Sequence, residues 1–551
     1  MRRVWSVGQL VLRNARLARL VLSYAAFITS EYTAWIAVLV FAYQQGQATE
    51  AGLVALAQLV PAAALAPLLS TVADRLPPVR LLVVGYGVQT VALAATGLAI
   101  HAGAPALLVY AGAVVAATSV VTTRPGQAPL TPALSRTPAE LTGVNVALGW
   151  VENLGVVAAG AVTGLVLATG DVGLAVLLAA SLAAVAGLLV LPFRTRPVPI
   201  RNRNGALHEA AAGARALARS PRPRLLVGLL WAEWVVIGAL DVLFVVLAVD
   251  VLDRGAEWAG YLNTAFGIGG VVAGAGTAAL VERRLGGPIV ASGLVLSVTL
   301  GLAAAAPGAI ATAALLAVVG GGRAVFDVAT RTLLQRAVPT EVVGRVFGLV
   351  EGLAMAGLAV GSLLVPAVVA VGGDQWALVT VAFVLPVTAL LGSRTMLALD
   401  AEATVPVVEI ALLRSLRIFA DLPAPALEAL ARSVTRMDAP VGTVLLREGD
   451  VGERFYVIAD GQVSIESGGR DLGVSGRGDG VGEIALLHAV PRTATVTVAA
   501  PTTLYVLERD AFLDAVTGHP TTSRTAASVV TERLYRSGHQ VAPNEKPDPA
   551  P

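Results

Sequence analysis

The chain has 551 residues and a formal net charge of +2; it is 56% hydrophobic and 14% charged, with a mean hydropathy of +0.75. Ordinary water-soluble proteins carry about 25% charged residues, so the composition indicates a polytopic membrane protein and excludes a basic nucleic-acid-binding surface. The lack of Cys excludes disulfides, thiol catalysis and thiolate metal sites.

The N-terminal stretch "MRRVWSVGQLVLRNARLARLVLSYAAF" is basic and then apolar without a small-residue cleavage site, and reads as a retained cytoplasmic end. A membrane helix needs about 20 mostly apolar residues. Twelve such stretches follow, at 20–43, 50–72, 80–101, 104–122, 142–168, 172–192, 225–249, 257–281, 288–306, 308–327, 342–371 and 375–397. The join between the sixth and seventh carries Arg194, Arg196, Arg201, Arg203, Arg215, Arg219, Arg222 and Arg224. The positive-inside rule therefore places it, and both termini, in the cytoplasm of a multi-pass cell-membrane protein.

Carboxyls inside these stretches include Glu31, Glu152, Glu233 and Asp241. A charge at the bilayer centre costs about 3 kcal/mol on insertion scales, so each is a candidate for proton coupling. Arg323 and Asp327 are four apart on a helix and are expected to pair with each other. The glycines of "GIGGVVAGAG" read as small-residue helix packing rather than a nucleotide loop. The only Lys, Lys546, lies in the polar tail, so no G-x-x-x-x-G-K-[ST] ATP loop exists. The five His residues (His101, His208, His488, His519, His539) lack metal-ligand spacing, and no metal cofactor is expected.

"LSRTPAELTGVN" from Leu134 and "LQRAVPTEVVGRV" from Leu334 align Glu140 with Glu341 and Gly143 with Gly344, six stretches apart. Such a parallel repeat matches transporters whose halves are related about the membrane normal. "STVADRLPPVR" after the second stretch, with Asp74, Arg75 and Arg80, is similar to the loop motif G-x-x-x-D-R-x-G-R-[RK], with Ser70 and Pro77 at its two Gly positions. In these features the chain resembles the major facilitator superfamily, nearest to twelve-span macrolide-efflux-like members. The resemblance implies two parallel six-helix halves and no catalytic activity. It makes Asp74 and Arg75 a conformational clamp, and it places Glu31 and Asp241 on the helices that line the central cavity.

Beyond Leu399 the texture changes, and "GTVLLREGD", "RFYVIADGQVSIES", "TATVTVA" and "TLYVLERD" read as short strands bounded by Gly or Asp. "VGEIALLHAVPRTATV", Val481 to Val496, resembles the phosphate-binding cassette of cyclic-nucleotide-binding domains, with Gly482, Glu483, Ile484 and Ala485 followed by Arg492, Thr493 and Ala494. The resemblance implies a cytoplasmic β-barrel with flanking helices. Arg492 would clamp the phosphodiester by charge-assisted hydrogen bonds, Glu483 would accept from the ribose 2′-hydroxyl, and helix-end N–H groups would face the phosphate. Thr493 is compatible with cAMP, the preferred ligand, and with cGMP; Tyr535, on a lid helix at 523–536, is a candidate for stacking on the base.

The expected organisation is a first transporter half at 1–192, a basic linker at 193–224, a second half at 225–397, a connector at 398–412, the nucleotide-binding domain at 413–537 and a disordered tail at 538–551. The function expected is secondary transport, by proton-coupled efflux of small amphipathic compounds, regulated by cyclic nucleotide. Lysophospholipid transport and a non-transporting membrane cAMP receptor are the alternatives, and monomer and homodimer stay open. A gated channel is disfavoured by twelve stretches and no T-V-G-Y-G filter. A DNA-binding regulator is disfavoured because only a short polar tail follows the lid helix.

Overall fold

The structure is a computed structural model that describes residues 13–73, 76–193, 217, 221–276, 285–305, 308–338, 340–374, 376–388, 407–420, 422, 424–488, 490–517 and 520–537. The chain divides into two compact units, Met1–Ala403 and Thr404–Pro551.

The first unit is helical. In chain order it contains α1 (Ala15–Ala73), α2 (Pro78–His101), α3 (Ala106–Val120), α4 (Thr123–Gln127), α5 (Leu130–Leu134), α6 (Pro138–Leu167) and α7 (Val172–Val190). These are followed by α8 (Pro221–Val246), which ends in a π-turn at Leu247–Val251, and by α9 (Glu257–Gly276), α10 (Gly286–Ala303), α11 (Ala309–Ala337), α12 (Thr340–Gly372) and α13 (Trp376–Thr388). Eight helices among the described residues are long and apolar enough to cross a bilayer. The first two stretches expected from sequence form one element, α1, broken at Gly46 and Gln47, where the dihedrals leave the helical region and Gln47 takes φ +55°.

The surface of this unit is apolar where a soluble protein would be polar: Leu107 is 77%, Val272 70% and Ile310 82% exposed. That pattern fits side chains facing lipid. Inside, polar side chains and glycines hold the helices together. Ser23 and Ser30 of α1 donate to the carbonyls of Ala186 and Ala179 on α7 at 2.8 and 2.6 Å. A Cβ on Gly260 of α9 would lie 2.6 Å from the backbone N of Gly164 on α6, so this crossing admits only hydrogen at that position.

Local sequence explains the start of α6. Thr137 accepts from the Glu140 N–H at 3.2 Å while the Glu140 carboxylate accepts from the Arg136 N–H at 2.8 Å, a reciprocal cap. Glu140 also accepts from Asn14 Nδ2 at 3.0 Å, and Asn14 donates to the Leu134 carbonyl at 3.1 Å. The repeated Glu seen in sequence therefore ties the start of α6 to the start of α1. The side chain of its counterpart Glu341 lies outside the described residues, as do Asp74, Arg75 and most of the basic linker.

The second unit runs α14 (Val407–Ser415), α15 (Ala424–Ser433), β1 (Thr435–Ala439), β2 (Val444–Leu446), β3 (Arg454–Ser467), β4 (Arg470–Gly476), β5 (Gly480–Val481), α16 (Glu483–His488), β6 (Thr495–Glu508), α17 (Arg509–Thr517) and α18 (Pro520–Ser537). Its antiparallel sheet has the order β1-β6-β3-β4, with β2 also on β6 and β5 also on β3. "TATVTVA" and "TLYVLERD", read as two strands, are one strand, β6. It passes through Pro501 where its register against β3 shifts, so Pro sits at an irregularity, as expected of a residue without an N–H. Phe419, Phe455 and Phe512 are fully buried with ring centroids 4.7 to 6.0 Å apart, and they fasten the helices to the sheet. Ile410, Leu412 and Leu413 of α14 share that core with Ala526 and Val529 of α18.

Candidate functional site

The second unit gathers the cassette around β3. Glu483 opens α16 and is 1% exposed, and Arg492 is 5% exposed. Two ionisable side chains in a small barrel interior need specific polar partners. Arg492 donates from Nη1 to the Gly482 carbonyl at 2.8 Å and from Nη2 to the Arg454 carbonyl at 2.7 Å. Its own N–H donates to the Asp450 carbonyl at 2.8 Å, and its carbonyl accepts from the Gly449 N–H at 2.9 Å. Burial pulls the guanidinium below its ordinary pKa, against the opposing fields of Tyr456, Glu483 and Asp450.

Two glycines make room for it. Gly482 has φ +102°, and a Cβ there would stand 2.7 Å from Arg492 Nη1. A Cβ on Gly452 would meet Ala485 Cβ at 2.8 Å and Arg492 Cζ at 3.2 Å. Ala485 is buried, Ile484, Thr493 and Ala494 are half-buried, and the Thr493 carbonyl accepts from Ser467 Oγ at 2.7 Å. Gly452 and Arg454 escaped the sequence reading because they lie some forty residues before Arg492 and reach it only through strand pairing. Tyr535 falls within α18, and its side chain lies outside the described residues.

In the first unit the intramembrane charges converge on Tyr32 of α1, which lies within electrostatic reach of Glu31, Glu152, Asp241 and Arg323. Asp241 on α8 accepts from Trp35 Nε1 of α1 at 3.1 Å, beside a small cavity that Phe244 and Asn263 also line. Nearer the end of α8, Tyr43 donates to Asp250. The expected pairing of Arg323 with Asp327 is corrected: Arg323 Nε donates to Glu233 Oε1 at 3.1 Å, and Asp327 accepts from Arg331 Nε at 2.7 Å. The Glu233 side chain is 1% exposed and that of Asp327 22%, so the more deeply buried carboxyl takes Arg323 while Asp327 takes Arg331. No cluster of three or more metal-ligating side chains exists among the described residues.

Residues 20–349 match the Major Facilitator Superfamily. The chain belongs to that superfamily. Residues 437–519 match the cyclic nucleotide-binding domain, so this facilitator carries such a domain fused at its C-terminal end. That second match has relatives of known description. The chain is 29% identical over 130 residues to a CRP-like cAMP-activated global transcriptional regulator of Mycobacterium tuberculosis, covering 23% of this chain and 58% of the regulator. It is 34% identical over 111 residues to a cGMP-dependent protein kinase of Eimeria tenella, covering 20% of this chain and 11% of the kinase. A solved structure of the regulatory domain of Toxoplasma gondii PKA with cAMP is 22% identical, with a TM-score of 0.23, over 25% of this chain and 56% of that one. The facilitator thus spans 58% or less of the length of each of these proteins.

Proposed function

We propose that this facilitator is a twelve-span, proton-coupled exporter of small amphipathic compounds whose transport cycle is biased by cAMP bound to the cytoplasmic C-terminal domain. The observation that carries the regulatory half is the burial of both Glu483, at 1% exposed, and Arg492, at 5% exposed, at the two ends of one short segment. A phosphodiester would accept from the Arg492 guanidinium in place of the two backbone carbonyls, and Glu483 would accept from a ribose hydroxyl. Gly482, Ile484, Ala485, Thr493 and Ala494 form the rest of the pocket, and the lid is the helix that bears Tyr535. cAMP is preferred over cGMP in this reading, and the likeness over 130 residues to the mycobacterial regulator described as cAMP-activated supports it.

The transport half rests on the convergence of Glu31, Glu152, Asp241 and Arg323 around Tyr32 among apolar helices. Intramembrane charge at such a cost marks a pathway for substrate or proton. Both termini are cytoplasmic in this reading, Asp74 and Arg75 act as the clamp between halves, and the connector at 398–412 links the nucleotide-binding domain to the transporter. A nucleotide biases the cycle only by binding one conformation more tightly than the other.

The test is proteoliposomes holding the full-length protein and a pH-sensitive dye, challenged with a panel of amphipathic compounds with and without cAMP. Compound-dependent proton flux that cAMP alters by several-fold, and that Glu31→Gln or Asp241→Asn diminishes, is expected. Compound movement indifferent to the pH gradient would remove proton coupling, and flux indifferent to cAMP would remove the regulation.

A further inference from the structure

The proton-coupled reading leaves four carboxyls as carriers, and the ion pairs of α8, α11 and α12 select among them. Glu233 of α8 is 0% exposed. Its Oε1 accepts from Arg323 at 3.1 Å, while its buried Oε2 has no hydrogen-bond partner. The Arg323 guanidinium carbon lies 5.8 Å from the Trp234 ring centroid. Further along α11, Arg331 donates to Asp327 at 2.7 Å and to Glu351 of α12 at 3.0 Å.

Positions 323, 327 and 331 share one helix face at a rise of about 6 Å per step. Asp327 therefore stands between two guanidiniums, Arg323 stands between Glu233 and Asp327, and Arg323 already feels the charge of Asp327. Tyr32 and Glu31 of α1, Glu152 of α6 and Asp241 of α8 are the other titratable groups facing this region.

We propose that Glu233 is the proton-binding carboxyl of the transport cycle, and that its protonation drives a swap of partners in which Arg323 moves from Glu233 to Asp327 and Arg331 keeps Glu351 alone. The proton enters on Oε2, the oxygen with no bond to lose. A neutral Glu233 no longer compensates the Arg323 guanidinium, which is only 30% exposed, and a charge so far withdrawn from water favours a new partner. Asp327, one helical turn away, is the nearest carboxylate on the same face. Loss of the proton restores the arrangement seen here. Because α8 also holds α1 through Asp241 with Trp35 and Asp250 with Tyr43, releasing α8 from α11 acts on the contact between the two halves.

This inference rests on proton coupling, and its test needs no transport substrate. Infrared difference spectra of full-length protein in lipid nanodiscs, titrated with pH in light and heavy water, read the carbonyl stretch of protonated buried carboxyls. The band should form on acidification in the wild type, Glu31→Gln and Asp241→Asn, and be missing from Glu233→Gln. Arg323→Gln, without the counter-charge, should keep the band to more alkaline pH. The swap lifts the guanidinium from Trp234, so emission should change over the same pH range, and that change should vanish in Trp234→Phe and in Asp327→Asn.

A band retained in Glu233→Gln but lost in Glu31→Gln or Asp241→Asn overturns the inference and leaves proton coupling standing. No titrating buried carboxyl in the wild type overturns both. An emission change that persists in Asp327→Asn overturns the swap. Should Glu233→Gln fail to fold, the double variant Glu233→Gln with Arg323→Gln leaves no unpaired buried charge and gives the same infrared reading.

Discussion

Arg492 reaches the carbonyls of Gly482 and Arg454 through space that the missing side chain of Gly482 leaves open. Gly482→Ala puts a methyl group 2.7 Å from the guanidinium and a side chain on a backbone at φ +102°. Roughly 1–3 kcal/mol of strain follows, so the variant should lower the unfolding temperature of the second unit and weaken nucleotide binding together. Thermal unfolding and nucleotide titration of one preparation check this, and unchanged values for both would contradict it. A second residue-scale prediction concerns acid. Asp438 accepts from Thr503 Oγ1 at 2.7 Å, and that hydrogen bond, more than Arg436, holds its carboxyl below the ordinary range. A depressed folded-state pKa means the stabilisation is present above the unfolded value of about 4 and is lost as pH falls through the folded value. Thr503→Val should therefore lower stability at neutral pH and flatten the pH dependence of unfolding below about pH 4, wild type and variant converging in acid.

At the scale of elements, aromatic packing and glycine crossings decide which helices stay together. Phe512 stands 4.7 Å from Phe455 and 5.9 Å from Phe419, centroid to centroid, and all three are fully buried. Phe512→Ala should cost about 3–5 kcal/mol and expose the second unit to protease while the first resists. In the first unit, Gly260→Leu should force α9 from α6 and lower the melting temperature in detergent, whereas a substitution at Gly287, which meets nothing within 4 Å, should be tolerated.

Most long helices were legible from apolar run length, because run length is what the bilayer selects. The cyclic nucleotide-binding domain was legible because its most specific pattern, Gly482 to Arg492, is one contiguous segment. The edge strand β4, "RDLGVSG", was not, since an exposed edge rich in Gly carries no alternating pattern. Nor was the pairing of Arg323 with Glu233, ninety residues apart, where helix spacing alone favoured Asp327. Local sequence specifies the reach of a side chain along its own helix, and only packing decides which neighbouring helix competes for it.

At the scale of the whole molecule, the same chain carries a facilitator unit and a cyclic nucleotide-binding domain. That division was legible in the change from long apolar runs to short strands after Leu399. Where the second unit begins was less so, because α14 is short and shows its loyalty only through Ile410, Leu412 and Leu413 in the core of that unit. The lack of Cys makes the two units straightforward to label with paired introduced cysteines.

The central claim, that a cyclic nucleotide governs this transporter through Arg492, is tested most directly by calorimetric titration. cAMP and, separately, cGMP are titrated into the full-length protein in nanodiscs, with Arg492→Ala as the control. The account predicts saturable binding, tighter for cAMP than for cGMP, and its loss in Arg492→Ala while the variant keeps its unfolding temperature to within a few degrees. Binding of equal affinity in Arg492→Ala, or no heat with either nucleotide, would contradict it.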